Sequence, residues 1–323
     1  MTVNEREQDN RSKRRPLPIT LELPDGFLEA ETRCGFQVDE RRKRIWAIEL
    51  DLLEDFLRIC KKYGIKVQVF AGTLLGAVRH KGFIPWDDDV DVWMTQSEFR
   101  KLLKVPKEEF KYPRFLQTAW SDPKYFMEFA RYRNSETTGI VHYASGEGYN
   151  QGIYIDVFVL NEYPERKWQR VVKCVFLRIV YKVIENYTLV SRPNDVWTTR
   201  LFWMLMPVCR LLRRETWMWC YFRVASMFKW RTKRLGYDIR AADKKLLKRY
   251  WMLRHELDES VDLQFENLVV PAPKNYEEVL SRIYGDYMQL PPVESRGVWH
   301  EGVIEFDPDV PFREYFKRGG ASK

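Results

Sequence analysis

Apolar residues recur at helical spacing between 43 and 63, where Ile45, Ile48, Leu52, Leu53, Phe56, Ile59 and Cys60 share one face. Gly64 is a suitable stop for that helix. Ile65 to Phe70 is a strand pattern that runs into Ala71-Gly72-Thr73, read as a turn, and then a short segment with Leu74, Leu75, Ala77 and Val78. Val90, Val92, Trp93 and Met94 favour another strand. Thr95-Gln96-Ser97-Glu98 is a capping-box pattern and opens a helix to about Leu103. Residues 126 to 141 predict a strand pair around Arg131-Tyr132-Arg133-Asn134, and residues 152 to 160, GIYIDVFVL, an apolar strand with one charge, Asp156. Asn275 with Glu278 starts a late helix in capping-box fashion, which Gly285 and Pro291-Pro292 end.

The strand at Val90 follows a run of acid: Asp87, Asp88, Asp89 and Asp91, framed by Phe83, Ile84, Trp86 and Trp93. Two carboxylates about 4 Å apart repel by about 4 kcal/mol at an effective dielectric of about 20. Protonation or a bound cation relieves this, and oxygen ligands of this kind suit Mg²⁺ or Mn²⁺. Strand alternation puts Asp87, Asp89 and Asp91 on one face and Val90 and Val92 on the other. The expectation is a D-x-D pair at a strand end, close to a Gly72-Thr73 turn where the backbone approaches a ligand. Asp156, a lone carboxylate in an apolar strand, needs a partner. It is either the third acid of the same site or one half of a buried pair with an arginine.

Composition narrows the class. Apolar content of 45% and aromatic content of 15% fit a packed protein. The first 40 residues are polar and charged, and read as an extended or disordered arm; Ser12-Lys13-Arg14-Arg15 reads as part of that solvated tail, with a targeting patch the less favoured alternative. The N-terminus has no apolar signal-peptide core, and no apolar run approaches the roughly 20 residues needed to span a bilayer. Five scattered cysteines without a C-x-x-C pair argue against a disulfide framework or structural zinc, and for a reducing compartment. Between Arg166 and Arg234 stand 16 lysines and arginines against three acids, exceeding the net charge of +8 of the whole chain. The same segment holds six of the 12 tryptophans. Basic residues with interfacial aromatics suit a helix lying on an anionic membrane surface. A basic subdomain packed on the protein's own core is the alternative, and nucleic acid is a less favoured one.

Three blocks, GTLLGAVRHKGFIPWDDDVDVWM, GIYIDVFVLNEYP and VVPAPKNYEEVLSRIYGDYMQLPP with His300 beyond, resemble the LicD family of phosphocholine transferases and, more distantly, the fukutin proteins. The resemblance implies an α/β (α+β) nucleotidyltransferase-like mixed sheet flanked by helices. A catalytic core at 41–160 would follow the arm at 1–40, then a basic Trp-rich helical insert at 161–240 and a part at 241–323 that completes the catalytic domain. It implies transfer of a phospho-alcohol, such as phosphocholine, from a CDP-activated donor such as CDP-choline to a cell-surface glycan or its lipid-linked precursor, as in lipopolysaccharide or teichoic acid synthesis. Carried onto this chain, Asp89, Asp91 and Asp156 are similar to the family's catalytic, metal-binding carboxylates, with Asp87 an alternative ligand. Gly72, Thr73 and Leu74 are similar to the element that holds donor phosphates, with Arg79, His80 and Lys81 on the diphosphate. Arg131, Arg133 and His300 are the weaker candidates for the acceptor. The implied cofactor is Mg²⁺ or Mn²⁺, and the implied place is the cytoplasmic side, peripheral on the inner face of the membrane. Nucleotidyl transfer with pyrophosphate release is the second reading, and a catalytically silent membrane-surface adaptor the third.

Overall fold

The computed structural model describes residues 15–141, 148–188, 206–229, 232–236, 249–297 and 303–318. Two short paired strands, β1 (Glu31–Arg33) and β2 (Phe36–Val38), lead into α1 (Glu40–Lys62). Asp39 caps α1 by accepting from the Arg42 N–H at 2.7 Å, and the helix ends two residues before Gly64. Its apolar face, Ile45, Trp46, Leu52, Leu53, Phe56 and Ile59, is fully buried.

The central sheet is mixed. Strand β3 (Gln68–Val69) lies antiparallel to β4 (Asp91–Thr95), and β4 lies parallel to β8 (Ile153–Tyr163). On its other edge β8 carries β6 (Ala130–Asn134) along its first half and β9 (Arg234–Gly236) along its second. Outside these lie β5 (Arg114–Gln117), on β6, and β10 (Trp251–Leu253), on β9. An α/β class with a mixed sheet is therefore what the chain adopts. The expected strand pair within 126–141 forms differently: β6 pairs with β5 and β8, whereas β7 (Thr138–Val141) pairs with β13 (Val303–Asp307). The strand expected over Ile65–Phe70 shrinks to Gln68–Val69, which pair with Trp93 and Val92 of β4.

The largest departure is at Ala71-Gly72-Thr73. These residues are not a turn but the first turn of a helix, α2 (Ala71–Arg79). The capping pattern at Thr95 is observed: its hydroxyl accepts from the Glu98 N–H at 3.3 Å and opens α3 (Gln96–Leu102). The described residues of the basic segment include α4 (Lys167–Thr188), packed on α5 (Arg214–Ala225). Beyond it come a hairpin of β11 (Ser260–Phe265) and β12 (Leu268–Pro273), then α6 (Tyr276–Tyr284) and α7 (Phe312–Lys317). Helix α6 starts where expected but without the expected cap, since Asn275 instead donates to the carboxylates of Glu256 and Glu278. Gly285, at φ +73°, ends it. Among the described residues no helix is long and apolar enough to cross a membrane.

From residue 15 the N-terminal segment is extended and docked. Leu17, Ile19, Leu21 and Leu23 pack on the core, and Asp51 of α1, itself fully buried, gathers the contact. Its Oδ1 accepts from the Thr20 and Leu21 N–H groups at 2.7 and 3.0 Å and from Arg114 Nη2 at 2.7 Å. Removing a buried partner leaves the other charge uncompensated. Replacement of Asp51 by alanine should therefore destabilise the protein by about 3 kcal/mol in urea unfolding; a loss below about 1 kcal/mol would show that the strap at 15–23 is held by its leucines alone.

Candidate active site

The parallel pairing of β4 with β8 decides the site. It sets Asp91 and Asp156 opposite each other on adjacent strands. The Asp156 N–H donates to the Val90 carbonyl at 2.9 Å, which fixes the entry into β4 against β8. On the other side, two bonds staple α2 to β4: the Phe70 N–H donates to the Asp91 carbonyl at 2.9 Å, and the Asp91 N–H donates to the Thr73 hydroxyl at 2.8 Å. The acidic run and the start of α2 thus form one rigid unit.

Residues 87–90 are not part of the strand, which begins at Asp91. The alternation expected of them survives all the same. Asp88 turns inward and is 1% exposed, while Asp87, Asp89 and Asp91 stay partly open to solvent. The Asp87 carbonyl accepts from Arg42 Nη1 at 2.8 Å and from the Trp46 indole N–H at 3.1 Å, which holds the run onto α1. The Asp87 carboxylate lies over Gly72: a Cβ there would meet its Oδ2 at 2.6 Å. Glycine at 72 is what lets the carboxylate approach the N-terminus of α2, where the first N–H groups have no intrahelical acceptor and the helix dipole favours negative charge.

The electrostatics are those of a crowded anionic site. Burial, then Asp87, Asp91, Asp88 and Glu49, push the Asp89 carboxyl well above the usual range. Burial, then Asp156 and Asp87, do the same to Asp91, with Arg131 opposing. The Asp91 Oδ1 atom is buried without a hydrogen-bond partner. Arg131, fully buried, donates from Nε to Asp156 Oδ1 at 2.7 Å and lies over the Tyr154 ring at 3.9 Å. Asp156 is thus one half of a buried pair with an arginine and lies in register beside Asp91.

A divalent cation suits this donor set in its chemistry, with oxygen ligands that repel one another and one of them orphaned. Among the described residues no three acidic, histidine or cysteine side chains converge into a ready-made ligand cage. Asp156 Oδ1 points at Arg131. Asp89, Asp91, Asp156 and Asp87 remain the residues that would hold a metal.

The other expected residues are placed less simply. Gly72 and Thr73 offer backbone N–H groups at the start of α2, but the Leu74 N–H is already given to the Phe70 carbonyl and its side chain is in the core. Arg79, His80 and Lys81 come at the far end of α2, about 12 Å along its axis from Gly72. There they line a separate cavity of about 690 Å³ with Arg33, Lys43 and Glu266. Arg79 donates to His80 Nε2 at 2.9 Å and to the Tyr287 carbonyl at 2.8 Å. Burial and the neighbouring Arg79 and Arg33 push His80 down to about 4, so it is neutral at pH 7 and carries no charge for a diphosphate. Arg133, 1% exposed, donates to Gln117 Oε1 and to the Gly152 carbonyl. Arg131 and Arg133 are thus structural members of the sheet, with no guanidinium face open to an acceptor. His300 lies outside the described residues.

Three residues of the site escaped the sequence reading. Glu49 on α1 is fully buried, neither carboxylate oxygen has a hydrogen-bond partner, and burial, then Asp88 and Asp87, raise it well above the usual range. It had a signal: it occupies an apolar-stripe position of the helix, one turn after Ile45 and one before Leu53. Tyr284 at the end of α6 is raised by burial, then by Tyr250 and by Asp87, Asp91 and Asp89, and Tyr250 in turn feels Asp91. Nothing in the local pattern distinguishes these two tyrosines from the other 15.

The family model described as LicD/FKTN/FKRP, nucleotidyltransferase domain, matches residues 64–180. The chain is 25% identical over 261 residues to the lipopolysaccharide cholinephosphotransferase LicD of Haemophilus influenzae, covering 78% of this chain and 92% of that protein. An uncharacterized protein of Rickettsia prowazekii is 30% identical over 115 residues, 35% of this chain and 39% of its own length.

Two outcomes follow. Gly72→Ala should displace the Asp87 carboxylate while leaving the fold intact, so divalent-cation binding measured by calorimetry should weaken with little change in thermal midpoint; unchanged binding would separate Asp87 from the site. Carboxyls raised on folding bind more protons in the native state, so they cost stability as pH rises above their ordinary value of 3.8. In chelator, the native chain should therefore lose stability relative to Asp91→Asn as pH is raised from 4 towards neutrality, and Mg²⁺ should reduce that difference.

Proposed function

Because the chain belongs to the LicD family, we propose that it is a transferase moving a phospho-alcohol, phosphocholine first among the candidates, from a CDP-activated donor to a glycan or its lipid-linked precursor. The observation that carries this reading is the pair Asp91 and Asp156, in register on parallel strands, beside the dipole-positive start of α2. A carboxylate pair with an orphaned oxygen favours a cation, and the positive end of the α2 dipole favours an anion. A metal-bound diphosphate supplies both.

In this proposal Asp89, Asp91 and Asp156, with Asp87 as the alternative, would hold one or two Mg²⁺ or Mn²⁺ ions. Such a metal would supply positive charge against that of the donor diphosphate and the departing CMP. The backbone N–H groups of Gly72 and Thr73 orient phosphate oxygens. The acceptor hydroxyl attacks the phosphorus that bears the alcohol, a new P–O bond forms, the bond to CMP breaks, and the hydroxyl proton passes to a carboxylate. Asp156 is the chosen proton acceptor, because Arg131 fixes its orientation at 2.7 Å. Glu49 lies behind the acids, where burial, then Asp88 and Asp87, hold its carboxyl well above the usual range.

The test is product analysis. The purified chain is incubated with CDP-choline, CDP-ribitol, CTP or UTP, with Mg²⁺ or with chelator. The reading expects CMP from one CDP-alcohol, dependent on metal and glycan. Pyrophosphate from a nucleoside triphosphate would replace it with nucleotidyl transfer. Metal-dependent donor binding also excludes a silent adaptor. Asp89→Ala should lower CMP release by roughly 100-fold or more without lowering the thermal midpoint; full turnover in that variant would remove Asp89 from the machinery.

A further inference from the structure

Helix α4 is apolar on two opposite faces. Leu177, Val180 and Ile184 are buried against the protein, as is Lys173, whose ammonium donates to the carbonyls of Glu162 and Ala225. The opposite face exposes Trp168 and Val171 (54% each), Val175 (50%), Phe176 (49%) and Ile179 (44%). At about 100° per residue, Trp168, Val171, Val175 and Ile179 lie within about 80° of one another, a stripe roughly 16 Å long. A helix on the surface of a soluble domain has one such face, and the second one needs a cover.

A second apolar patch is tied to the end of the same helix. Val208, Leu211 and Leu212 are 64, 81 and 47% exposed. The Tyr187 hydroxyl on α4, with one proton to donate, lies 2.6 Å from the Cys209 carbonyl and 2.5 Å from that of Leu212, and the Trp217 indole N–H donates to the Cys209 carbonyl at 2.9 Å. These bonds hold the 208–212 segment, and its leucines, out from the protein. Around both patches basic charges outnumber acidic ones: Arg166, Lys167 and Arg178 are exposed on the α4 side and Arg210, Arg213 and Arg223 on the other, against exposed Glu165 at the head of α4 and a part-exposed Glu215.

We infer that the α4 stripe and the 208–212 patch form a membrane-docking face, whose occupant is the surface of an anionic bilayer. Charge decides the choice of occupant. A second copy of this chain would set like-charged rims against each other, whereas anionic headgroups complement them. The apolar side chains would enter the headgroup–acyl boundary with the helix in the plane of the surface. Crossing is not the mode, since no described helix is long and apolar enough. This inference does not depend on the transferase reading.

The experiment is co-sedimentation of the full chain with vesicles of phosphatidylcholine alone or mixed with phosphatidylglycerol. Binding is expected only to the anionic vesicles and should weaken at high salt. Val175→Asp combined with Leu211→Asp should reduce it by roughly tenfold or more. Arg210→Gln with Arg213→Gln should cost roughly fivefold per residue. All four positions are exposed, so the thermal midpoint should stay put and certify the fold. Absence of binding to anionic vesicles at low salt would overturn the inference, as would equal binding by the Val175→Asp, Leu211→Asp protein. So would a concentration-dependent dimer abolished by Val175→Asp in a chain that ignores vesicles, because the face would then join two copies.

Discussion

Repulsion among carboxylates is the constraint around which this molecule is arranged. Four aspartates within five positions and a buried glutamate behind them each raise the cost of ionising the others. The fold offers three partial remedies. Arg131 neutralises Asp156 from the next strand, Arg42 and Trp46 hold the Asp87 backbone, and α2 presents its positive end to the run. None of them reaches Asp91 Oδ1. A site built with a residual deficit of positive charge can be selective without being rigidly closed. What it admits must bring cations, and what those cations bring must be anionic.

The sequence made the carboxylates legible but not their surroundings. Helix α1 and the capped start of α3 follow from local pattern, because their signals are contained within one element. The D-x-D presentation also emerged, although residues 87–90 are not a strand: burying Asp88 and Val90 requires the same alternation of inside and outside. Reading Gly72 as a turn failed because a glycine before Thr73 suggests a break, whereas here it leaves room for a carboxylate from another segment. That one misreading carried Arg79, His80 and Lys81 into the phosphate site. As a helix, the same nine residues take them to its far end and into another cavity. Arg131 and Arg133 were ambiguous in principle, since an arginine in an apolar strand looks the same whether it faces a ligand or a neighbouring strand. The role of Asp156 was undecided for the same reason. Tyr250 and Tyr284 feel the charge of the acids although they lie more than 150 residues further along the chain, which no local pattern can show.

The parallel pairing of β4 and β8 also has a kinetic side. Antiparallel neighbours can meet through a short hairpin, but parallel strands need a long crossover, and here the two aspartates are about 65 residues apart in the chain. Their juxtaposition cannot precede closure of that loop, so it belongs to the high-contact-order, slow part of folding. A ribosome that has released Asp91 but not yet Asp156 holds a chain whose acidic run has β3 but neither β8 nor the Arg131–Asp156 pair beside it. The acids are then solvated and ionised at little cost, and their mutual penalty is imposed only at the final docking step. Divalent cations in the surrounding medium would thus act on the last stage of assembly as well as on the finished protein.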